Sequence, residues 1–218
     1  MSLTNNKGPK AIILGCKGTK LTKDEEEFFR YTNPFGFILF SRNCESKIQI
    51  QDLVKQLRLI VKRSDIPIFI DQEGGRVVRL PTSRAGFPPA QGIIGHLAKE
   101  IGLKNCKHLA WLNGALIAYE LGQLGISVNC APVLDLQYLG QSSIIGDRSY
   151  GYDPELVSAL GESFIKGSQT FGIDCVIKHL PGHGRALTDS HDDLPIVSTK
   201  INDLIRSDFF PFKKLKNV

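Results

Sequence analysis

Ile66-Pro67-Ile68-Phe69-Ile70-Asp71-Gln72-Glu73-Gly74-Gly75-Arg76 changes character at its sixth residue. Ile66 to Ile70 is a short apolar run, the pattern of a buried strand. It ends in charge and glycine. What precedes it decides the kind of sheet. Ala11 to Cys16 is a first compact apolar run. Leu21 to Tyr31 reads as a helix, with Thr22 as N-cap and Asp24, Glu25 and Glu26 in a first turn that suits the helix dipole. Asn33-Pro34 stops it. Gly36 to Phe40 is a second strand, followed by the polar loop Ser41-Arg42-Asn43. Between Ser46 and Lys62, the residues Ile48, Leu53, Val54, Leu57, Ile60 and Val61 recur at helical spacing. Strand, helix, strand, helix, strand predicts right-handed βαβ units and a parallel sheet.

Downstream, Leu80 to Gly95 is irregular and rich in Pro and Gly, and Leu97 to Leu121 reads as one long helix. Ile126 to Val133 is a fourth strand, ending at Leu134-Asp135, and a loop then carries Gly146-Asp147-Arg148-Ser149-Tyr150. Asp153-Pro154 opens a helix with an N-cap Asp and Pro in the first turn, running to about Phe171. A fifth strand follows at Cys175 to Ile177, and a last helix is expected over Ile201 to Lys216. No repeat or linker interrupts the alternation, so residues 1–218 are read as one domain. Five strand-helix units match the first part of a (β/α)₈ TIM-type barrel, whose complete form needs roughly 250 residues or more. The α/β reading is therefore a barrel truncated to about its first five units. A doubly wound sheet is disfavoured, because no Gly-x-Gly-x-x-Gly follows the first strand.

With 42% hydrophobic and 22% charged residues, the 218-residue chain is ordinary for a globular protein. Its net charge of +5 is scattered, without a Lys/Arg run or interleaved aromatics, so no nucleic-acid partner is expected. The polar N-terminus lacks the apolar core of a signal peptide, and no apolar run could cross a bilayer, so no membrane role and a cytoplasmic location are expected. Five dispersed cysteines (Cys16, Cys44, Cys106, Cys130 and Cys175) form no Cys-x-x-Cys pair, which argues against zinc and redox chemistry.

The densest chemistry lies in Cys175-Val-Ile-Lys178-His179-Leu-Pro-Gly-His183-Gly-Arg185-Ala-Leu-Thr-Asp189-Ser-His191-Asp192-Asp193-Leu-Pro195. A strand that ends in a charged, glycine-rich loop is where α/β proteins place reactive groups. A solvated loop is the bland alternative. A metal site built from His183, His191 and the aspartates is another, though no Cys lies among those ligands and the helical His-x-x-x-His spacing is absent. Asp71 and Arg79 flank the turn after the third strand. From chemistry alone they either bind sugar hydroxyls and ring oxygens or simply cap the turn and pair with each other. Arg148 alone would read as a surface loop residue.

Lys-His-Leu-Pro-Gly-His-Gly followed by Asp-Ser-His-Asp-Asp-Leu-Pro resembles the signature of glycoside hydrolase family 3, and most closely its bacterial β-N-acetylglucosaminidases of peptidoglycan recycling. Those usually carry Phe at the position of Leu180. Asp71-Gln-Glu-Gly-Gly-Arg-Val-Val-Arg79 resembles the second signature, and Gly-Asp-Arg148-Ser-Tyr a third segment. The resemblance runs from about Ala11 to the end of the chain. It implies that Asp71, Arg79, Arg148, Lys178 and His179 bind the terminal sugar. It implies that His191 is the general acid/base, oriented by Asp189, with unusual and cis backbone near Lys178. An imidazole suits that task because it titrates near neutrality. Asp135 is expected to orient Arg148 or a loop backbone. Glu73 and Arg76 are expected to support their turn, His183 to hold its loop, and His96 and His108 to be structural or surface residues.

The implied reaction is cofactor-free and metal-free removal, with retention, of non-reducing terminal N-acetylglucosamine from amino-sugar oligosaccharides or muropeptides. The family's nucleophile is an Asp in a segment like Ser-Asp-Asp-x-x-x-Met, and none of these 218 residues matches it. Retention needs that second carboxylate. The alternatives are therefore a fragment completed by another chain or a dimer partner, a non-catalytic sugar-binding remnant, or a β-glucosidase of the same family. Asp189 before His191 argues against the last. A five-unit sheet is also expected to expose the edges of its first and last strands.

Overall fold

The computed structural model describes residues 8–81, 88–138, 144–188 and 193–218. Five parallel strands lie in chain order: β1 (Lys10–Gly15), β2 (Pro34–Leu39), β3 (Ile68–Ile70), β4 (Val128–Asn129) and β5 (Asp174–Cys175). Each pairs only with its neighbours in sequence, as Phe37↔Ile68, Phe69↔Val128 and Asn129↔Cys175 show. A doubly wound sheet would reverse its order at a switch point. This sheet does not, and its topology is that of consecutive barrel units.

Local capping signals account for three of the helices. Thr22 caps α1 (Lys23–Thr32) in a reciprocal box: its Oγ1 accepts from Glu25 N–H at 3.2 Å, and Glu25 Oε2 accepts from Thr22 N–H at 2.9 Å. Ser46 caps α2 (Lys47–Val61), and Asp153 caps α5 (Pro154–Gln169). Ile68 and Ile70 alternate with Phe69. The two isoleucines are fully buried in the core shared with Leu53, Val54 and Leu57 of α2 and with Ile117 and Leu121 of α4 (Ala98–Gln123). Helices α4 and α5 meet through glycine. A Cβ on Gly114 would lie 2.2 Å from the Phe164 carbonyl oxygen, and one on Gly167 would lie 2.1 Å from that of Trp111.

Several expectations need correction: α4, expected as one helix, is kinked at Gly102 (φ 79°), and β5 ends at Cys175 rather than Ile177. β4 is shorter than the run Ile126 to Val133, because Pro132 has no N–H for the ladder and the Gln91 side chain takes both backbone groups of Val133 at 3.1 Å. The chain still follows β5, with Leu134 N–H donating to the Lys178 carbonyl at 2.8 Å. The irregular stretch before residue 95 contains a short helix, α3 (Gln91–His96). The last helix is two, α6 (Ile201–Arg206) and α7 (Phe210–Leu215). Pro211 cannot continue the first, and Asp208 turns inward between them to accept from Arg185 Nε at 2.7 Å.

β1 and β5 are the edges among the described residues, with Ile12, Ile13 and Val176 each about two-fifths exposed (43%, 42% and 41%). No helix among these residues is long and apolar enough to cross a membrane.

Candidate active site

Three loops leave the carboxyl ends of β3, β4 and β5 side by side, and their first residues carry the charge. Gln72, directly after Asp71, is fixed by an amide pair: its N–H donates to Asn129 Oδ1 at 3.0 Å, and its carbonyl accepts from Asn129 Nδ2 at 2.9 Å. Its side-chain oxygen accepts from the Arg79 N–H at 2.8 Å and closes the turn. Asp71 and Glu73, on either side of Gln72, both turn toward Lys178.

Lys178 comes from the end of β5 and reaches both. Its Nζ lies 2.8 Å from Asp71 Oδ1 and 2.6 Å from Glu73 Oε1. Arg148 arrives from the β4 loop and grips Glu73 with two parallel bonds of 2.8 Å, from Nε to Oε2 and from Nη2 to Oε1. Its Nη2 also lies 3.3 Å from His179 Nε2. His179 Nδ1 is 2.5 Å from Asp135 Oδ2. That arrangement assigns the proton to Nδ1 and leaves Nε2 as the acceptor facing the guanidinium. Arg79 Nη2 stands 4.0 Å from Asp71 Oδ2, an ion-pair distance too long for a hydrogen bond, and its Nε is buried without a partner.

The five expected sugar-binding residues thus converge. Glu73 supports its turn as expected, its N–H donating to the Val77 carbonyl at 3.0 Å. It does more than support its turn, being buried to 2% exposure and joining two cations that come from different loops. Burial pushes its carboxyl up, but hydrogen bonds and charge from Arg148 and Lys178 outweigh this and hold it below the ordinary value of 4.5. Arg148, whose burial acts the other way, is held above its ordinary range by the same bonds to Glu73, with Asp135 and Asp71 behind them. Cys130, at the end of β4, is pushed up to about 11 by burial and then by the neighbouring Asp71 charge.

Asp135, fully buried, does not bond Arg148. It accepts from His179 Nδ1, from His183 N–H at 2.7 Å and from His179 N–H at 3.3 Å, and so fixes the start of the β5 loop. The Lys178–His179 and Leu180–Pro181 bonds there are cis. His183 holds its loop through its backbone, while its Nε2 is buried without a partner. Arg76 crosses to the β4 loop, with Nε 2.8 Å from Asp147 Oδ1. His96 Nδ1 pairs with the Gly92 carbonyl, and His108 stacks on Trp111. Arg185 lies over the Tyr138 ring at 4.0 Å and donates to its hydroxyl at 2.7 Å. Asp189 and His191 lie outside the described residues. Among the described residues, no group of three or more His, Cys, Asp or Glu side chains could hold a metal ion.

The chain resembles known proteins over nearly all its length. It is 38% identical over 206 residues to a β-hexosaminidase of Actinobacillus pleuropneumoniae serotype 5b, covering 94% of this chain and 57% of that protein. A β-hexosaminidase of Pseudomonas aeruginosa is 35% identical over 205 residues, 94% of this chain and 59% of that one. The structure superposes on NagZ from Neisseria gonorrhoeae, solved in complex with N-trifluoroacetyl-D-glucosamine, with a TM-score of 0.88 at 30% identity, over 96% of this chain and 60% of that one. The chain thus spans a little under three-fifths of the length of the curated relatives it matches. The glycosyl hydrolase family 3 N-terminal domain matches residues 10–217. On the sequence match, the consecutive parallel sheet and the charged cluster at its carboxyl end, the chain belongs to glycosyl hydrolase family 3.

Proposed function

We propose that this chain carries the sugar-binding part of a retaining β-N-acetylglucosaminidase. Its substrate is the non-reducing terminal N-acetylglucosamine of peptidoglycan fragments such as muropeptides. The observation that carries the reading is the convergence of Asp71, Arg79, Arg148, Lys178 and His179 at the ends of adjacent strands. Asp71 offers acceptors for sugar hydroxyls, while Lys178 and Arg79 offer donors to sugar oxygens. His191 would protonate the leaving glycosidic oxygen while a carboxylate attacks the anomeric carbon from the opposite face. It would then take a proton from the water that releases the sugar, and Asp189 would orient the imidazole throughout. No segment of these 218 residues matches the family's nucleophile, so in this reading that carboxylate comes from polypeptide outside them. The five free thiols suit a reducing, cytoplasmic setting.

The test is calorimetric titration of the 218-residue chain with N-acetylglucosamine, beside an assay with a chromogenic β-N-acetylglucosaminide. Binding that Asp71→Ala and Arg148→Ala abolish supports the sugar site. Turnover lost in His191→Ala supports the acid/base. Binding without turnover is the result expected of a half-site. Absence of binding refutes the reading.

A further inference from the structure

Arg79, Lys178 and Arg148 bring three cations to one small region, the composition of a carboxylate or phosphate site. Here the anion is already present. Glu73 Oε1 lies 2.6 Å from Lys178 Nζ and 2.8 Å from Arg148 Nη2, and Oε2 lies 2.8 Å from Arg148 Nε. The carboxylate is fixed there by its own backbone N–H, which donates to the Val77 carbonyl at 3.0 Å, and by its burial. Against the three cations stand three carboxylates, Asp71, Glu73 and Asp135.

The two cations that flank Glu73, Lys178 and Arg148, are nearly spent as donors; Arg79, whose Nε is unpartnered and whose Nη2 stands 4.0 Å from Asp71 Oδ2, is not. Of the three N–H bonds on Lys178 Nζ, one serves Asp71 and one Glu73, leaving one. Of the five on Arg148, two serve Glu73, one His179 and one the Ile144 carbonyl at 3.1 Å, again leaving one. A hydroxyl or ring oxygen needs a single donor. An anionic group needs several, and would have to sit beside Glu73 and Asp71.

We propose that Glu73 is a specificity-determining residue, filling the place between Lys178 and Arg148 that an anionic ligand would take and so reserving the site for uncharged pyranoses. This rests on the reading of the cluster as a sugar site. Selectivity arises from an element placed against the wrong ligand.

The experiment compares the 218-residue chain with Glu73→Gln by calorimetry at low ionic strength. The probes are N-acetylglucosamine, glucuronic acid and inorganic phosphate. The wild-type chain is expected to exclude both anions at concentrations that saturate it with the neutral sugar. Glu73→Gln is expected to bind both anions at least about tenfold more tightly than wild type. Glu73→Asp, which keeps the charge, is expected to show no gain. A Glu73→Gln chain with no gain for either anion overturns the proposal. So does a wild-type chain that binds glucuronic acid as tightly as N-acetylglucosamine, and that measurement stands even where the Gln variant fails to fold. Failure of the sugar reading shows separately, as a wild-type chain that ignores N-acetylglucosamine.

Discussion

Replacing Asp135 by Asn removes one charge and one acceptor from a fully buried position. The carboxylate accepts from His179 Nδ1 at 2.5 Å, from His183 N–H at 2.7 Å and, through both oxygens, from His179 N–H at 3.3 Å. An Asn oxygen can serve one side of this arrangement, but its amide then points donors at a donor on the other. Hydrogen bonds to charged groups contribute about 1.5–3 kcal/mol each, and a stranded buried donor costs about 1–3 kcal/mol. With one acceptor retained, the expected loss is about 2–4 kcal/mol, a large share of the roughly 5–15 kcal/mol that holds a domain folded. At about 2–4 °C per kcal/mol for a chain of this size, the melting temperature should fall by roughly 5–15 °C. Urea unfolding at neutral pH, with the slope checked for constancy, measures the loss. A double-mutant cycle with His179→Ala isolates the shared term, which should exceed about 1 kcal/mol. A loss below about 1 kcal/mol, or strict additivity in the cycle, would refute the claim that Asp135 anchors this loop through His179.

Thr22→Ala removes the side-chain half of the α1 capping box and the hydroxyl bond to Glu25 Oε2, leaves the Thr22 backbone N–H half, and should cost about 1 kcal/mol in chemical denaturation, with Glu25→Ala no longer additive to it. Gly184→Ala places a Cβ 1.7 Å from the Leu136 carbonyl oxygen, backbone against backbone; a destabilisation of about 3 kcal/mol or more is expected, read as a lower denaturation midpoint. Glu73 has a folded-state pKa below 4.5, so its stabilising contribution is fully present above that value and is lost as the pH falls through the folded one. The stability difference between wild type and Glu73→Gln should therefore be flat from about pH 7 to 5 and shrink below about 4.5, as pH-dependent urea unfolding would show.

What the sequence made legible was what its signals carry locally. The Thr22 cap, the Asp153-Pro154 start and the βα alternation each declare themselves within a few residues, and each is present. Helix α3 escaped because Gly92 and Gly95 weaken its intrinsic preference. What holds it is tertiary: Gln91 bonds to Val133, and Gly95 packs so closely on Tyr150 that a Cβ would fall 1.6 Å from its carbonyl oxygen. The break between α6 and α7 escaped in part for the same reason, since the Arg185 partner that draws Asp208 inward lies 23 residues back. At the site, motif resemblance picked out the residues that converge at the strand ends, but Glu73 was read as a turn residue because its partner Arg148 is 75 positions away. The available signal was proximity: Glu73 lies two residues after Asp71 at the same strand end, beside the Lys178 that reaches both.

The amide pair between Gln72 and Asn129 has a consequence for how the chain reaches its native state. Asn129 ties the end of β3 to β4, and the groups this aligns are distant in sequence, with Asp71 and Lys178 107 positions apart. Contacts of that separation close late, after the local helices and neighbouring strands have formed. A slip of one residue in β4 or β5 would turn Cys130 or Lys178 to the opposite face and dissolve the cluster while leaving most of the helical core intact. Under the proposed sugar-binding role, ligand affinity also reports strand registry. Where the wild-type chain binds sugar, a β4 or β5 variant that loses affinity while keeping its helical circular dichroism has its strands out of step, and added sugar should draw its population toward the aligned form by mass action.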